Sequence, residues 1–311
     1  MLITWDEIVA DTLTSDGSIR EELQDAIHNV NPYRTPLLSR LQQVGVSNVH
    51  VQWMIDTFAD AATNKNLEGK AFTDGTLTPP TRVSNTTQIF YKAGMVSDRT
   101  DKTAHAGMSD PLAYYEGKSV IEIKKDMELA LVKGSAATGD TDTETQLAGF
   151  FNAITTNKTN LSSMTLTESL FGNLLELTWG NTDAQPTDVY VGPKLKRTIS
   201  NYNTNITRNI DAEMKKQVQT ISNYESDFGL LNIHLHRDID SNDSDSRILC
   251  IDPRYFATGW LQPLRRELLP RDGKRTRYQV SGEFTLLYGN EKAGLAVTEV
   301  APYLPDYEFA S

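Results

Sequence analysis

The sequence predicts an α+β fold with two elements that project from the body. Three observations predict it. The longest run of helical periodicity, residues 111–133, stands between stretches of period two. The first two strand-like runs are separated by about 25 polar residues, far more than a hairpin turn needs. The second half of the chain alternates short helical and strand-like runs.

Composition narrows the class. Of 311 residues, 39% are hydrophobic and 23% charged, with 30 Lys+Arg against 41 Asp+Glu and a formal charge of −11. A chain this long buries about 75% of its unfolded surface, so size permits a stable core. Its length fits one domain with extensions, or two small ones. No apolar run approaches the ~18–20 residues of a membrane span. Residues Met1 to Glu7 lack the basic-then-apolar order of a secretory signal. The expectation is a soluble protein made inside the cell. A single cysteine, Cys250, excludes an internal disulfide framework and a multi-cysteine metal site. The acidic balance argues against a nucleic-acid binder, because phosphate affinity comes mainly from Lys and Arg.

Residues 1–45 read as an arm. Ser18 and Glu21 form an S-x-x-E capping box, and Ile19, Leu23, Ala26, Ile27 and Val30 follow at helical spacing. Asn31-Pro32 and Pro36 stop that helix, since proline lacks the amide donor and restricts its predecessor. One modest apolar stripe leaves the helix in need of another surface.

Residues 46–100 form the second projection. Val49, Val51, Trp53, Ile55 and Thr57 share one strand face, and a second extended run covers 83–96. The insertion between them holds Asn64-Lys65-Asn66, Glu68-Gly69-Lys70, Asp74-Gly75 and Pro79-Pro80, too polar for a core of its own. Structureless stretches beyond ~12–15 residues are uncommon in compact domains and are functional or disordered.

Residues 101–150 hold the long helix. Ser109 caps it, Asp110 meets the positive helix end, and Pro111 takes a tolerated position. Leu112, Tyr115, Ser119, Val120, Ile123, Met127, Ala130 and Leu131 track one side until Lys133-Gly134 ends the run. At ~1.5 Å per residue the rod is roughly 35 Å long. Residues 134–142 follow as a flexible polar connector.

Residues 151–250 make an α/β lobe. Thr165 to Glu168 is a second capping signal, ahead of Leu170, Phe171, Leu174, Leu175 and Leu177. Asp188-Val189-Tyr190-Val191 is a buried strand, residues 194–202 a helix, and 218–224, 230–235 and 247–251 further strands. Residues 251–311 supply return strands, with 277–287 and 294–300 joined by 288–293 as a long hairpin. No period of 20–50 residues repeats, which excludes a solenoid or propeller.

Few constellations carry chemistry. His234, His236, Asp238 and Asp240 alternate, so on one strand they project to one side. Two imidazoles and two carboxylates suit a divalent transition metal, which makes a metal-dependent enzyme the alternative of another class. Alternation explains the set without a ligand: Leu231, Ile233 and Leu235 point inward and the polar residues face water. The block from Asp238 begins like a calcium loop, but Asp243 stands where glycine is needed and Leu249 where the bidentate glutamate belongs. Cys250 lies in an apolar strand and reads as a small buried residue, not a nucleophile. The commonest catalytic signatures are absent from the sequence. One basic stretch stands out: Arg265, Arg266, Arg271, Lys274, Arg275 and Arg277 face only Glu267 and Asp272. It reads as a solvated or subunit-pairing strip, with acidic loops at 140–144 and 238–245 as complementary surfaces; nucleic-acid contact is the lesser reading.

The order of arm, projecting hairpin, long helix, α/β lobe and return strands is similar to the major capsid proteins of tailed bacteriophages, the Hong Kong 97 fold. Local text agrees with a subgroup of these head proteins. Asn31-Pro32-Tyr33-Arg34-Thr35-Pro36-Leu37-Leu38 resembles its proline-marked arm, and Leu67-Glu68-Gly69 falls at its loop tip. Asn85-Thr86-Thr87-Gln88-Ile89-Phe90 lies on its returning strand, and residues 126–134 resemble the end of its spine helix. Leu147-Ala148-Gly149-Phe150 fits the start of its axial domain. Ile251-Asp252-Pro253, Gly282 to Leu286 and Asn290 to Ala293 look like its return strands.

The resemblance implies a peripheral domain with a spine helix (residues 101–150), an axial domain (151–250) and return strands of the peripheral domain (251–311). It implies a structural protein with no enzymatic activity and no cofactor, the major capsid subunit of an icosahedral head enclosing double-stranded DNA. Another virion component, such as a decoration or tail-tube subunit, fits the long helix poorly. The implied partners are copies of itself in hexamers and pentamers, portal and scaffold or decoration proteins, and packaged DNA without sequence-specific contact. No membrane partner is implied. The implied place is the virion, after synthesis in the bacterial host cytoplasm. Contact candidates between copies are Trp53, Lys65, Glu68, Gly69 and Lys70 on the projecting loop, and Arg265, Arg266, Arg271, Lys274, Arg275 and Arg277 on the basic strip. Some relatives cross-link a loop lysine to an asparagine; Lys65, Lys70 and Asn290 do not align to that chemistry.

Overall fold

A computed structural model of the chain describes residues 34–59, 61–71, 75, 77–105, 108–140, 143–182, 184–202, 223–240 and 245–301. The helix expected over 18–30 and most of the strand expected over 218–224 lie outside these residues.

The described chain starts with a short helix, α1 (Pro36–Arg40), and the strand β1 (Gln42–Gly45). The projecting pair is β2 (His50–Ile55) and β3 (Thr81–Thr86), followed by β4 (Gln88–Ser97) and a short helix α2 (Asp98–Lys102). The long helix α3 spans Pro111–Lys133, and α4 (Phe150–Ala153) leads into β5 (Lys158–Thr165). Then come α5 (Glu168–Asn181), β6 (Asp188–Val191), α6 (Pro193–Asn201), β7 (Asn223–Ser226), β8 (Gly229–Leu235) and β9 (Ser246–Ile251). Two 14-residue strands, β10 (Phe256–Leu269) and β11 (Arg275–Tyr288), precede the last strand, β12 (Gly294–Ala301).

These strands form three sheets among the described residues, with orders β1-β10-β11-β4, β5-β12-β9-β6-β8-β7, and β2-β3. One face of the four-stranded sheet packs on α3. Ile123, Met127 and Leu131 of the helix share a buried cluster with Phe90, Val280, Phe284 and Leu286 of the sheet. Phe90 and Trp260 stack on Phe284, each with ring centroids 5.1 Å apart. The six-stranded sheet is covered on both faces. Val189, Val191, Ile248, Cys250, Leu295 and Val297 point to a second cluster with Phe171, Leu174, Leu175, Leu195 and Ile199 of α5 and α6. Tyr190, Leu249, Ile251 and Ala296 point the other way, into the cluster that contains α3. In the central strands β6, β9 and β12, alternation therefore divides these residues between two cores.

Helix α3 has the predicted limits but a different cap. The Asp110 carboxylate accepts from the Ala113 amide at 3.1 Å, so Asp110, not Ser109, is the capping residue. Tyr115, expected on the inward stripe, is 39% exposed and lies edge-on to Tyr114. Glu116 takes the inward place because Arg266 of β10 reaches its carboxylate at 2.9 Å. At α5 the cap is Thr167, whose hydroxyl accepts from the Leu170 amide, because Thr165 still belongs to β5.

Gly134 ends α3 for a reason other than backbone handedness, since its φ is −53°. A β-carbon there would lie 2.5 Å from the carbonyl of Ala130 and 2.6 Å from that of Leu147. Gly149 faces it, donating its amide to the Gly134 carbonyl at 2.9 Å, and its own β-carbon would meet the Ala130 and Leu131 carbonyls at 2.6 and 2.7 Å. The segment expected as a flexible connector is a closed ladder that brings these glycines together, with Ala137 and Gln146 exchanging amide bonds at 3.0 Å.

Several expectations are corrected. Residues 36–45 are part of the body, not of an arm: Leu37, Leu38 and Leu41 are buried in the main core, and β1 pairs in parallel with β10. The 83–96 run breaks at Thr87, so β3 and β4 belong to different sheets. β11 and β12 do not form a hairpin. The turn Glu291–Ala293 carries the chain from the four-stranded to the six-stranded sheet, so the C-terminal return strands are divided between the two lobes. The true hairpin is β10–β11, turning at Gly273 with φ +64°. β10 carries Pro263 and a charged run, and its register shifts on either side of Gln262 absorb them.

Gly134→Ala or Gly149→Ala should destabilise the chain by about 2–3 kcal/mol, since the added methyl meets backbone rather than a movable side chain. Gly117→Ala, on the exposed face of α3 with open space around it, should instead stabilise by about 0.5–1 kcal/mol. Urea unfolding of the three variants checks both signs.

Candidate functional site

The projecting loop is rooted by polar side chains. The Asn85 amide donates to the carbonyls of Leu286 (2.8 Å) and Ala148 (3.2 Å), while its oxygen accepts from the amides of Ala148 and Thr86 at 2.9 Å each. Thr285 donates to the Thr86 carbonyl at 2.8 Å. These groups are buried, so each bond stays in the structure only because its partner is present. Trp53, expected at a contact between copies, is spent within its own chain. Its indole Nε1 donates to the Tyr288 carbonyl at 2.7 Å, and its ring lies edge-on to Tyr288. Beyond this root β2 and β3 pair only with each other, from His50↔Thr86 to Ile55↔Thr81. Lys65, Glu68, Gly69 and Lys70 are exposed near a turn closed by the Lys70 amide on the Leu67 carbonyl (3.2 Å), with Gly69 at φ +76°. Phe58, Leu67 and Leu77 on the same loop are almost wholly in solvent.

The basic strip folds onto the tip of the β10–β11 hairpin, where turn geometry gathers residues far apart in sequence pattern. Among the described residues its ion pairs are Arg266 with Glu116 (2.9 Å), Arg265 with Glu267 (3.1 Å), Arg271 with Asp98 and Arg275 with Asp272. The three pairs exposed on both sides, all but Arg266–Glu116, contribute at most about 1 kcal/mol each. Lys274 and Arg277 are exposed at the same tip.

The His–Asp set does not converge. Asn232 and His234 of β8 stand beside Asp188 and Tyr190 of β6 in register, on one face, as alternation requires. That face is turned toward the interior, so the expectation that the polar side meets water is corrected. His236 continues the same parity one residue past the strand and is 2% exposed, whereas Leu235, expected inward, is 59% exposed. His234 Nε2 sits 3.4 Å from Asp188 Oδ1, and His236 Nε2 is 2.9 Å from Glu128 Oε1 on α3. The Tyr190 ring lies against both imidazoles, with centroids 5.2 and 6.4 Å away. Asp238 instead gives its amide to His236 Nδ1 (3.2 Å), and Asp240 accepts from the Arg247 amide (3.1 Å). Among the described residues no three His, Cys, Asp or Glu side chains are placed to share a metal ion.

What these residues do build is a pair of fully buried carboxylates. Glu128 accepts the amides of Leu37 (2.8 Å) and Leu38 (2.9 Å) as well as His236. Asp188 accepts Arg40 through Nε and Nη2 (the latter at 3.0 Å), Asn232 at 3.2 Å and His234. Burial pulls the Asp188 carboxyl up, but the hydrogen bonds from His234, Arg40 and Asn232, with the arginine's charge, hold it below the usual carboxylate range. Neither glutamate nor aspartate was singled out from the sequence. The one available signal was a charged residue on an otherwise apolar helix face or strand. Cys250 is fully buried in the second core, and burial pushes its thiol up to about 12.

A sequence profile of the SU10 major capsid protein family matches residues 8–301. The chain belongs to that family. The major capsid protein of Escherichia phage Phieco32 is 29% identical over 187 residues, 57% of this chain. The chain spans about half the length of that curated relative (53%). Among solved structures, the Cyanophage A-1(L) capsid subunit superposes with a TM-score of 0.70 at 12% identity, covering 93% of this chain and 99% of that one. A Mycobacterium phage Bobi chain gives 0.64 at 12%, covering 96% and 98%. The SrpI encapsulin of Synechococcus elongatus PCC 7942 gives 0.57 at 12%, covering 99% and 100%. The fold is the Hong Kong 97 capsid fold. In this SU10-family capsid protein, the features that reach outward are the β2–β3 loop and the β10–β11 tip, and the buried carboxylates hold the body behind them.

Because the Asp188 carboxyl is held below its unfolded value, its contribution is complete above about pH 4 and is lost as pH falls through the folded value. Asp188→Asn should therefore be less stable than the parent by about 1–3 kcal/mol at pH 7, with the gap closing in acid. Denaturant unfolding at pH 7, 5 and 3 measures this.

Proposed function

We propose that copies of this chain associate into hexamers and pentamers to form the icosahedral head of a tailed phage, enclosing double-stranded DNA. The observation that carries the reading is the β2–β3 loop, which holds Phe58, Leu67 and Leu77 in solvent away from both cores. Burying such a side chain stabilises by about 1.5–3 kcal/mol. Association costs an estimated 4–15 kcal/mol, so one loop contact binds two copies weakly and stable assembly needs several contacts per subunit. Rings and shells supply that multiplicity, because each copy both gives and receives the same contact. Lys65, Glu68 and Lys70 on the loop and Arg271, Lys274 and Arg277 at the hairpin tip are the polar groups proposed to meet neighbouring copies.

The role is structural, with no catalysis assigned to any residue. The excess of 11 negative charges lets packaged DNA lie against the shell without phosphate-specific attachment. Portal and scaffold or decoration proteins complete the proposed set of partners, in a virion built from protein made in the bacterial cytoplasm.

Electron microscopy and sedimentation of the purified full chain test the reading. Closed particles are expected. Deleting residues 62–79 should leave secondary structure and cooperative unfolding intact while abolishing closed shells. Normal particles from the deletion would overturn the bracing role of the loop.

A further inference from the structure

We propose that residues 34–45 form a two-ended latch, which couples the seating of α1 to the seating of the six-stranded lobe on α3. Glu128 is shared between the two partners. Its Oε1 accepts both the Leu37 amide (2.8 Å) and His236 Nε2 (2.9 Å), while Oε2 accepts the Leu38 amide (2.9 Å). The Asp238 amide donates to His236 Nδ1 at 3.2 Å. That bond makes Nδ1 the acceptor and leaves Nε2 to donate to Glu128. At the other end of α1, Arg40 reaches Asp188 on β6, and Asp188 also accepts from Asn232 and His234 of β8.

Both bonds from α1 thus lead to the same strand, β8, one through the long helix and one through the neighbouring strand. A carboxylate with no exposed surface holds its place only while its donors are seated, because water cannot replace them. Withdrawing α1 leaves Glu128 with one donor where it had three, and His236 is the one that remains. The apolar contacts of Leu37, Leu38 and Leu41 have no such directional demand and would tolerate sliding. The directional bonds make the two seats cooperative: whatever loosens α1 loosens the end of β8, and whatever holds one holds the other. The device is intramolecular, so it stands whether or not copies of the chain build shells.

Amide hydrogen exchange on the unassembled full-length chain tests the latch. Arg40→Gln alters a side chain that is nearly half exposed and whose side-chain hydrogen bonds go to Asp188, not to Glu128 or His236. In this variant the amides of Leu37 and Leu38 should exchange about tenfold faster or more. The His236 amide, held by the Val191 carbonyl at 2.9 Å, should accelerate with them, while the β10–β11 ladder keeps its protection. Glu128→Gln should give the same paired acceleration. If Arg40→Gln leaves His236 at the parent rate, whether or not Leu37 and Leu38 speed up, the ends are independent and the latch is overturned. Should Glu128→Gln fail to fold, the Arg40→Gln result decides alone.

Discussion

The fold depends on the last two turns of one helix being apolar toward two sheets at once. Met127, Ala130, Leu131 and Val132 lie in a single core with Phe284 and Leu286 of the four-stranded sheet and with Tyr190, Leu249 and Ile251 of the six-stranded sheet. The helix can end there only because Gly134 and Gly149 let two backbones touch where any side chain would hold them apart. The chain then turns directly into Phe150 and Phe151, which are buried in the same core.

Charge is placed inside this body on terms that physical chemistry makes strict. Glu128 and Asp188 have no exposed surface, yet each has three or more hydrogen-bond donors drawn from distant parts of the sequence. Breaking a buried pair of this kind costs far more than forming it gains, so such groups fix arrangement more than they add stability. The outward ion pairs on the β10–β11 tip are the opposite case, exposed and weakly stabilising.

Much of the fold was legible because local rules and tertiary packing agree there. The limits of α3, the strand at 188–191 and the projecting pair around a polar insertion all follow from periodicity and capping chemistry. Elements that rest on backbone pairing alone were not legible. β1 is four residues with no apolar alternation, and β5 passes through positive φ at Ser162 and Ser163. β10 hides behind Pro263 and three consecutive charges. The candidate site was half legible. Alternation correctly put His234 and His236 on one side, but Asp238 and Asp240 lie past the end of β8, and alternation cannot say whether a side meets water or another part of the chain. That depends on α1 and α3, with Arg40 148 residues from Asp188 and Glu128 108 residues from His236.

The break at Thr87 has a mechanical meaning. Because β3 leaves its sheet at that residue and β4 joins another, the paired ribbon is anchored to the body through Asn85, Thr285 and Trp53. The pairing runs only two residues past Trp53, to Ile55↔Thr81, so at ~3.3 Å per residue its end lies about 7 Å beyond that anchor. The long loop that the ribbon carries is therefore tied to the body by these few side-chain bonds and not by strand pairing.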